Sequence, residues 1–457
     1  MGFPLMFILA AIATSLPVFA GYVMSFCMLI WLLTKGRWRL ALVGKKHLPP
    51  VGTPDHDLMR VIAAAIKPIH WGVLALIMAH LVAALLGYYW SPWSQPLGRT
   101  LSVWSHTASK AGILWYVVSA AMIVAVRQGW NPAKLAPYLL AWLIVQFGYC
   151  ALQHWTGVDW THGWHAVLGG HRFAYGVYRV SGFMGHPLTF AYNHMLIFLA
   201  ALAMGWRLLP GAQAADRKLW FAVSAVCLLT LLMSGSRFVL LALLVTLVLC
   251  EHRRLWRYRN WILSIGVVIA VLLWAEGTVL ARIFELFSAT SPLLVRFPRL
   301  IFWALHWQMF WDQPWFGVTM AGVDQAITAY YTAAGYHDNM YTAHNLVLQY
   351  LADTGAVGAV GLAAWFGGLL VARRRLKDHL GRVQGVGYLA AGTFVCGLMQ
   401  NNLRDSAYVY ALWYFLSLMV VQSAVIFTRK RAAENDDRKS TENLQPRADS
   451  TDSAAHL

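Results

Sequence analysis

Apolar runs close to bilayer-spanning length recur along this chain, and no other feature limits its fold as tightly. They fall at 68–90, 108–126, 135–154, 187–206, 261–277, 345–371, 383–400 and 407–427. In hydrocarbon each backbone polar group needs an internal partner, so segments of this kind cross as helices. Two stretches are longer. Residues 219–250 are interrupted by Ser234-Gly235-Ser236-Arg237 and read as a hairpin of two short helices with Arg237 at the turn. Residues 1–33 contain Pro17 and read as one long kinked helix or as a second tight hairpin. The expectation is about 12 transmembrane helices, or 11 with an external N-terminus if the first segment is a single helix.

Composition agrees. With 59% hydrophobic and 12% charged residues and a mean hydropathy of +0.53, the chain reads as an all-α polytopic membrane protein. Residues 1–428 form a single transmembrane domain, and 429–457 read as a disordered cytoplasmic tail, too short and polar to bury a core. The net charge of +17 does not point to nucleic acid. Most of the basic residues form short clusters between apolar spans, among them Lys35-Gly36-Arg37, Arg127 with Lys134, Arg373-Arg374-Arg375 and Arg429-Lys430-Arg431. All fall on one side, which marks the cytoplasm. The five cysteines lie in or at the ends of apolar segments without a C-x-x-C pair, so neither disulfides nor a thiolate metal site is expected. The start has no basic n-region, and no cleaved signal peptide is expected.

The opposite face carries the loops 155–186 and 278–344, the Arg237 turn and Gln400–Asp405. The 278–344 loop holds Trp303, Trp307, Trp311 and Trp315 at four-residue spacing, one aromatic stripe on a helix. An amphipathic helix in the headgroup region and an ordinary packed helix both fit it. Arg179, Arg237, Arg282, Arg296, Arg299 and Arg404 also stand on this side, where the topology rule disfavours them. Arginine grips phosphate through a rigid fork of donors, which suggests an anionic, lipid-linked substrate. A single such arginine is as well explained by snorkelling or helix capping. Arg237, wedged between two apolar helices, is the strongest functional candidate.

His344-Asn345 stands at the lip of the next apolar segment. A neutral imidazole there can take the proton of an attacking hydroxyl; a histidine that only hydrogen-bonds its loop is the simpler alternative. Asp338 or Asp324 can orient the imidazole or serve as the base instead, and Asn345 can fix backbone or substrate. His154, His162, His165, His171, His186 and His194 have no recognisable metal-ligand spacing, so no metal is expected. His186, before Pro187 at a helix start, is the one candidate among them. Phosphate-binding loops, dinucleotide turns and nucleophile elbows are missing from the sequence. The spans are nearly free of charge, which favours an interfacial enzyme over a membrane transporter or lipid flippase. A structural assembly protein of the envelope is the third reading.

Four motifs in order resemble the bacterial O-antigen ligase and polymerase superfamily. His344-Asn345, nine residues, then Gly355-Ala356-Val357-Gly358 matches its H-[NSQ]…G-x-x-G signature. Arg237-Phe238-Val239-Leu240-Leu241 matches R-x-x-x-L, Arg299…Trp303…Pro314-Trp315-Phe316-Gly317 its arginine, tryptophan and P-x-x-G run, and Arg179…Gly182…Gly185-His186-Pro187 an upstream element. The likeness covers about 175–425; Asp353 departs from it where glutamate is more usual. It implies an inverting, GT-C-like glycosyltransferase of the bacterial inner membrane, working at the periplasmic face without metal, nucleotide or other cofactor. In the ligase branch the glycan moves from undecaprenyl pyrophosphate to lipid A–core oligosaccharide, with membrane lipids as the other partners. Arg237, with Arg299 or Arg296 and Arg179, would hold the pyrophosphate, and His344 would activate the acceptor. The His-Asn motif favours ligase over polymerase, and the short C-terminal tail argues against a protein O-oligosaccharyltransferase.

Overall fold

The computed structural model describes residues 3–41, 49–50, 53–162, 164–165, 173–174, 177–208, 214–257, 298–336, 342–380 and 385–444. The helices are α1 (Phe3–Ala13), α2 (Val18–Leu33), α3 (Pro54–Trp90), α4 (Leu97–Ala108), α5 (Leu114–Arg127), α6 (Ala136–Thr156), α7 (Pro187–Ala203), α8 (Ala214–Met233), α9 (Arg237–Arg257), α10 (Pro298–Asp312), α11 (Val323–Ala333), α12 (Leu346–Leu380), α13 (Gly385–Met399) and α14 (Ser406–Leu444). A π turn at Ser109–Ile113 joins α4 to α5. Two short antiparallel ribbons, Val158–Asp159 with Trp164–His165 and Phe173–Ala174 with Val177–Tyr178, relieve the otherwise helical chain.

Six of these helical stretches are long and apolar enough to cross a membrane: 54–90, 97–127, 132–156, 187–206, 346–377 and 406–435. The protein is therefore polytopic. Three further apolar helices (α1, α2 and α13) are shorter, and the expected span at 261–277 lies outside the described residues. Among the described residues the structure thus carries a helical bundle with six such stretches. The N-terminal segment is a hairpin: α1 and α2 pack together, and the Trp31 ring stands edge-on to Phe7 at 6.0 Å.

Burial sorts the helices. α7 and α14 are enclosed along most of their apolar length, as helices apolar all round must be. Tyr410 and Tyr414 of α14 donate to the carbonyls of Ala10 and Phe7 at 3.1 and 2.8 Å, tying the first hairpin to this pillar. The other helices wrap it and leave apolar side chains facing outward, as lipid contact allows. α3 and α12 cross antiparallel over small residues. A Cβ on Gly72 would lie 2.9 Å from the Trp365 backbone, one on Gly361 2.5 Å from Ala79, and one on Gly368 2.4 Å from the Pro68 carbonyl. Small residues let backbones approach where dispersion replaces the hydrophobic drive.

The ends of the bundle differ. At one, Arg127 pairs with Asp55 at 2.7 Å, Arg431 with Asp57, and Arg375 donates to the Ala64 carbonyl. This gathers clusters that the sequence put on one side. α3 rises about 55 Å from there, and its far end at Trp90 stacks on Phe316. At that end α10 and α11 fold back as a cap with a small core of its own, including Phe302, Met309, Ile327 and Tyr331, which rests on Ala352 of α12.

Two expectations need correction. α8 and α9 are separated at 234–236 as foreseen, yet they are 20 and 21 residues long and do not lie side by side as a hairpin. α8 packs on α6 and α7, α9 on α13, and Gly235, at φ +62, turns the chain between them. The tail read as disordered from 429 continues α14 as helix through Leu444. No Gly or Pro interrupts that stretch, and Arg431 and the Lys430–Glu434 pair support its first turns. Residues 445–457 lie outside the described residues.

Candidate active site

His344 sits two residues before α12, half-buried, with φ +48. Its Nδ1 lies 2.7 Å from Gln400 Oε1. With the Gln400 oxygen turned to the ring, Nδ1 is the donor and Nε2 presents its lone pair. Burial pushes the imidazole below its ordinary pKa; the Gln400 bond opposes this, and the positive charge of Arg299 reinforces it. The ring is thereby kept neutral with its basic nitrogen set, which is the state a general base requires.

Asn345 anchors the same turn. Its Oδ1 accepts the Leu348 N–H at 3.0 Å, capping α12, and its Nδ2 donates to the Leu398 carbonyl at 3.1 Å. These bonds hold the start of α12 against the end of α13, so the residue read as a substrate contact has a structural duty. Ten residues on, Gly355 breaks α12 with φ +62 and ψ −162. There Ala356 and Val357 donate to the carbonyls of Pro314 and Trp315, at 2.8 and 3.2 Å, and Val318 donates to that of Ala352. A Cβ on Gly355 would stand 2.3 Å from the Trp315 carbonyl carbon, and one on Gly317 2.5 Å from the Ala352 oxygen. The two glycine motifs are halves of one interlock, and only glycine lets the main chains meet so closely.

One face of α10 looks toward His344. Arg299, Phe302 and His306 are spaced at i, i+3 and i+7 on that face. Arg299 Nη1 donates to the Met399 carbonyl at 3.0 Å, and its guanidinium carbon lies 3.7 Å from the centre of the Phe238 ring. The Phe302 and His344 rings are 6.0 Å apart. His306 is fully buried, its Nδ1 bonded to the Phe302 carbonyl, and burial pushes its pKa down to about 4. The tryptophan stripe is divided: Trp303 packs against the core of the cap, whereas Trp307 and Trp311 are exposed, as is Trp315 just beyond the helix.

Arg237 opens α9 beside Phe238, with its side chain exposed. A cation at the positive end of a helix dipole makes a site for an anion. Arg179 Nε reaches the Ser234 carbonyl at 3.4 Å and its Cγ lies over Gly235, so it flanks the turn that presents Arg237. Arg299 thus links the Arg237 helix to the strip that holds His344, and Arg179 joins from the opposite loop. His186 caps α7, its Nδ1 accepting the Leu188 N–H at 3.3 Å. Asp324 is exposed in the first turn of α11; Gln400, not a carboxylate, orients His344. Arg296, Asp338 and Arg282 lie outside the described residues. Of the other histidines, His162 pairs with buried Asp159 at 3.1 Å and His194 bonds within α7.

Sequence reading missed Gln400 and His306. Gln400 opens a polar run at the end of an apolar span, and His306 completes the Arg299-Phe302-His306 spacing, so both left a signal.

Fold and site together define a polytopic helical membrane protein with a basic, histidine-bearing site at one end of its bundle. A family model described as O-antigen ligase matches residues 222–363, the stretch that holds Arg237, Arg299, His344 and both halves of the interlock. That stretch is similar to the O-antigen ligase family. No curated protein matches the chain.

Proposed function

We propose that the protein is an O-antigen ligase. It transfers glycan from undecaprenyl pyrophosphate to lipid A–core at the periplasmic face of the bacterial inner membrane, through twelve spans in a GT-C-like arrangement. The observation that carries this reading is the placing of His344, held at 2.7 Å by Gln400 and lying in the field of Arg299. The acceptor hydroxyl gives its proton to Nε2 as it attacks the anomeric carbon. The bond from that carbon to the pyrophosphate oxygen breaks, and Arg237, with Arg299 and Arg179, offsets the charge left on the pyrophosphate. The sugar pyrophosphate is itself activated, so no nucleotide enters the step and no metal is assigned to it.

The test is transfer by the purified protein from undecaprenyl-pyrophosphate-linked O-antigen to lipid A–core, with EDTA and without ATP, resolved on a lipopolysaccharide gel. A shifted ladder is expected. His344→Ala should lower the rate by about 10²–10⁴-fold, the usual weight of a general base. Arg237→Ala should lower it by roughly 10²–10³-fold, the scale of one electrostatic contact to developing charge. Lengthening of the lipid-linked glycan without transfer would replace the ligase by a polymerase of the same superfamily. Neither product would bring the transporter reading forward, and full activity in either variant would remove that residue's role.

A further inference from the structure

Asp353 lies in the part of α12 that is apolar enough to cross a membrane, with only 4% of its surface exposed. A carboxylate in such a place is costly and calls for a function, yet the proposed transfer step does not use it. Its partner is Gln349, one turn earlier, whose Nε2 donates to Asp353 Oδ1 at 2.8 Å. The other end of that amide, Oε1, accepts the Ala343 backbone N–H at 2.8 Å. Gln349 itself is 1% exposed.

Ala343 directly precedes His344, which holds a left-handed backbone that residues other than glycine rarely adopt. Such a conformation persists only where its surroundings over-determine it. If the Gln349 amide were reversed, Nε2 would face the Ala343 N–H, donor against donor, and Oε1 would face the carboxylate, acceptor against acceptor. The acceptor on Asp353 therefore selects the single amide orientation that grips the loop.

We propose that Asp353 and Gln349 form a buried strut that positions His344. Both are positioning residues and neither touches substrate. The inference rests on the reading of His344 as the base, but the strut can be observed without any transfer.

Four variants of the full chain separate the cases. Asp353→Asn keeps an acceptor oxygen for Gln349. Asp353→Leu and Gln349→Met each remove the strut. The double variant Asp353→Leu with Gln349→Met leaves no orphaned polar side chain and keeps the test readable if a single variant misfolds. The first readout is transfer kinetics. The strut-breaking variants should lose roughly 100-fold in kcat, the scale of a misplacement of about 1 Å, with KM nearly unchanged. Asp353→Asn should stay close to wild type. The second readout is carbethoxylation of His344 by diethyl pyrocarbonate, followed by mass spectrometry. Its rate should rise several-fold in the strut-breaking variants and hold steady in Asp353→Asn.

Wild-type labelling in Asp353→Leu and Gln349→Met would overturn the strut, as would an Asp353→Asn variant that behaves like Asp353→Leu. Labelling as expected in a protein that transfers no glycan would support the strut and remove only the role of His344 as base.

Discussion

At the scale of single residues, the proposed transfer depends on one imidazole, His344, being neutral. Burial and the Arg299 charge both disfavour its protonated form, against the pull of the Gln400 bond. A base whose pKa is lowered in the fold stays competent above that pKa and fails as pH falls through it. The acid limb of kcat/KM should therefore lie below about 6.5, the ordinary histidine value. Removing the positive charge with Arg299→Gln should raise the His344 pKa and move that limb upward, along with an overall loss of rate. A pH–rate profile of the two proteins checks this; an acid limb that stays in place would show that Arg299 does not act on the histidine. Much at this scale was legible in the sequence. Arg237, Arg299 and His344 stand out as polar residues at the ends of apolar runs, where burial has to be justified. Gln400 and the Gln349–Asp353 pair were harder to read, because their roles come from neighbours remote in sequence or from the orientation of one amide.

At the scale of elements, the break in α12 is the critical joint. Gly355 occupies a backbone region closed to other residues and touches the 315–316 main chain. Gly355→Ala should cost about 1–3 kcal/mol from backbone strain alone and more from the collision with Trp315. Gly367→Ala in the same helix, where a Cβ would meet nothing, should leave the melting temperature unchanged or slightly raised. Thermal melts of the two variants in detergent make the comparison, and equal melting points would mean that the interlock does not hold the fold. The helices themselves follow from apolar runs and caps, and six stretches long and apolar enough to cross a membrane lie where the sequence puts a span. The splay of α8 from α9 was not readable, since a Ser-Gly-Ser turn fixes a break but not an angle. The helical course of α14 past 429 was overlooked because polar composition was weighed above the lack of any helix breaker.

At the scale of the whole molecule, the charges divide the bundle into two ends. Arg127, Arg375 and Arg431 meet the start of α3 at one, and Arg179, Arg237, Arg299 and His344 gather at the other. If the first end is cytoplasmic, a cysteine-free protein carrying Thr332→Cys on exposed α11 should react with a membrane-impermeant maleimide in intact spheroplasts. One carrying Lys377→Cys should react only after lysis. The reverse pattern would invert the topology and with it the periplasmic site.

The joint between residues 314–317 and the break in α12 is built from main-chain groups, which every amino acid supplies alike. Apart from its two glycines, it sets no condition on which side chains flank it. Trp315, exposed just beyond α10, can therefore be exchanged without loosening the frame beneath. A chain assembled in this way can vary its exposed side chains while the turn that carries His344 stays still.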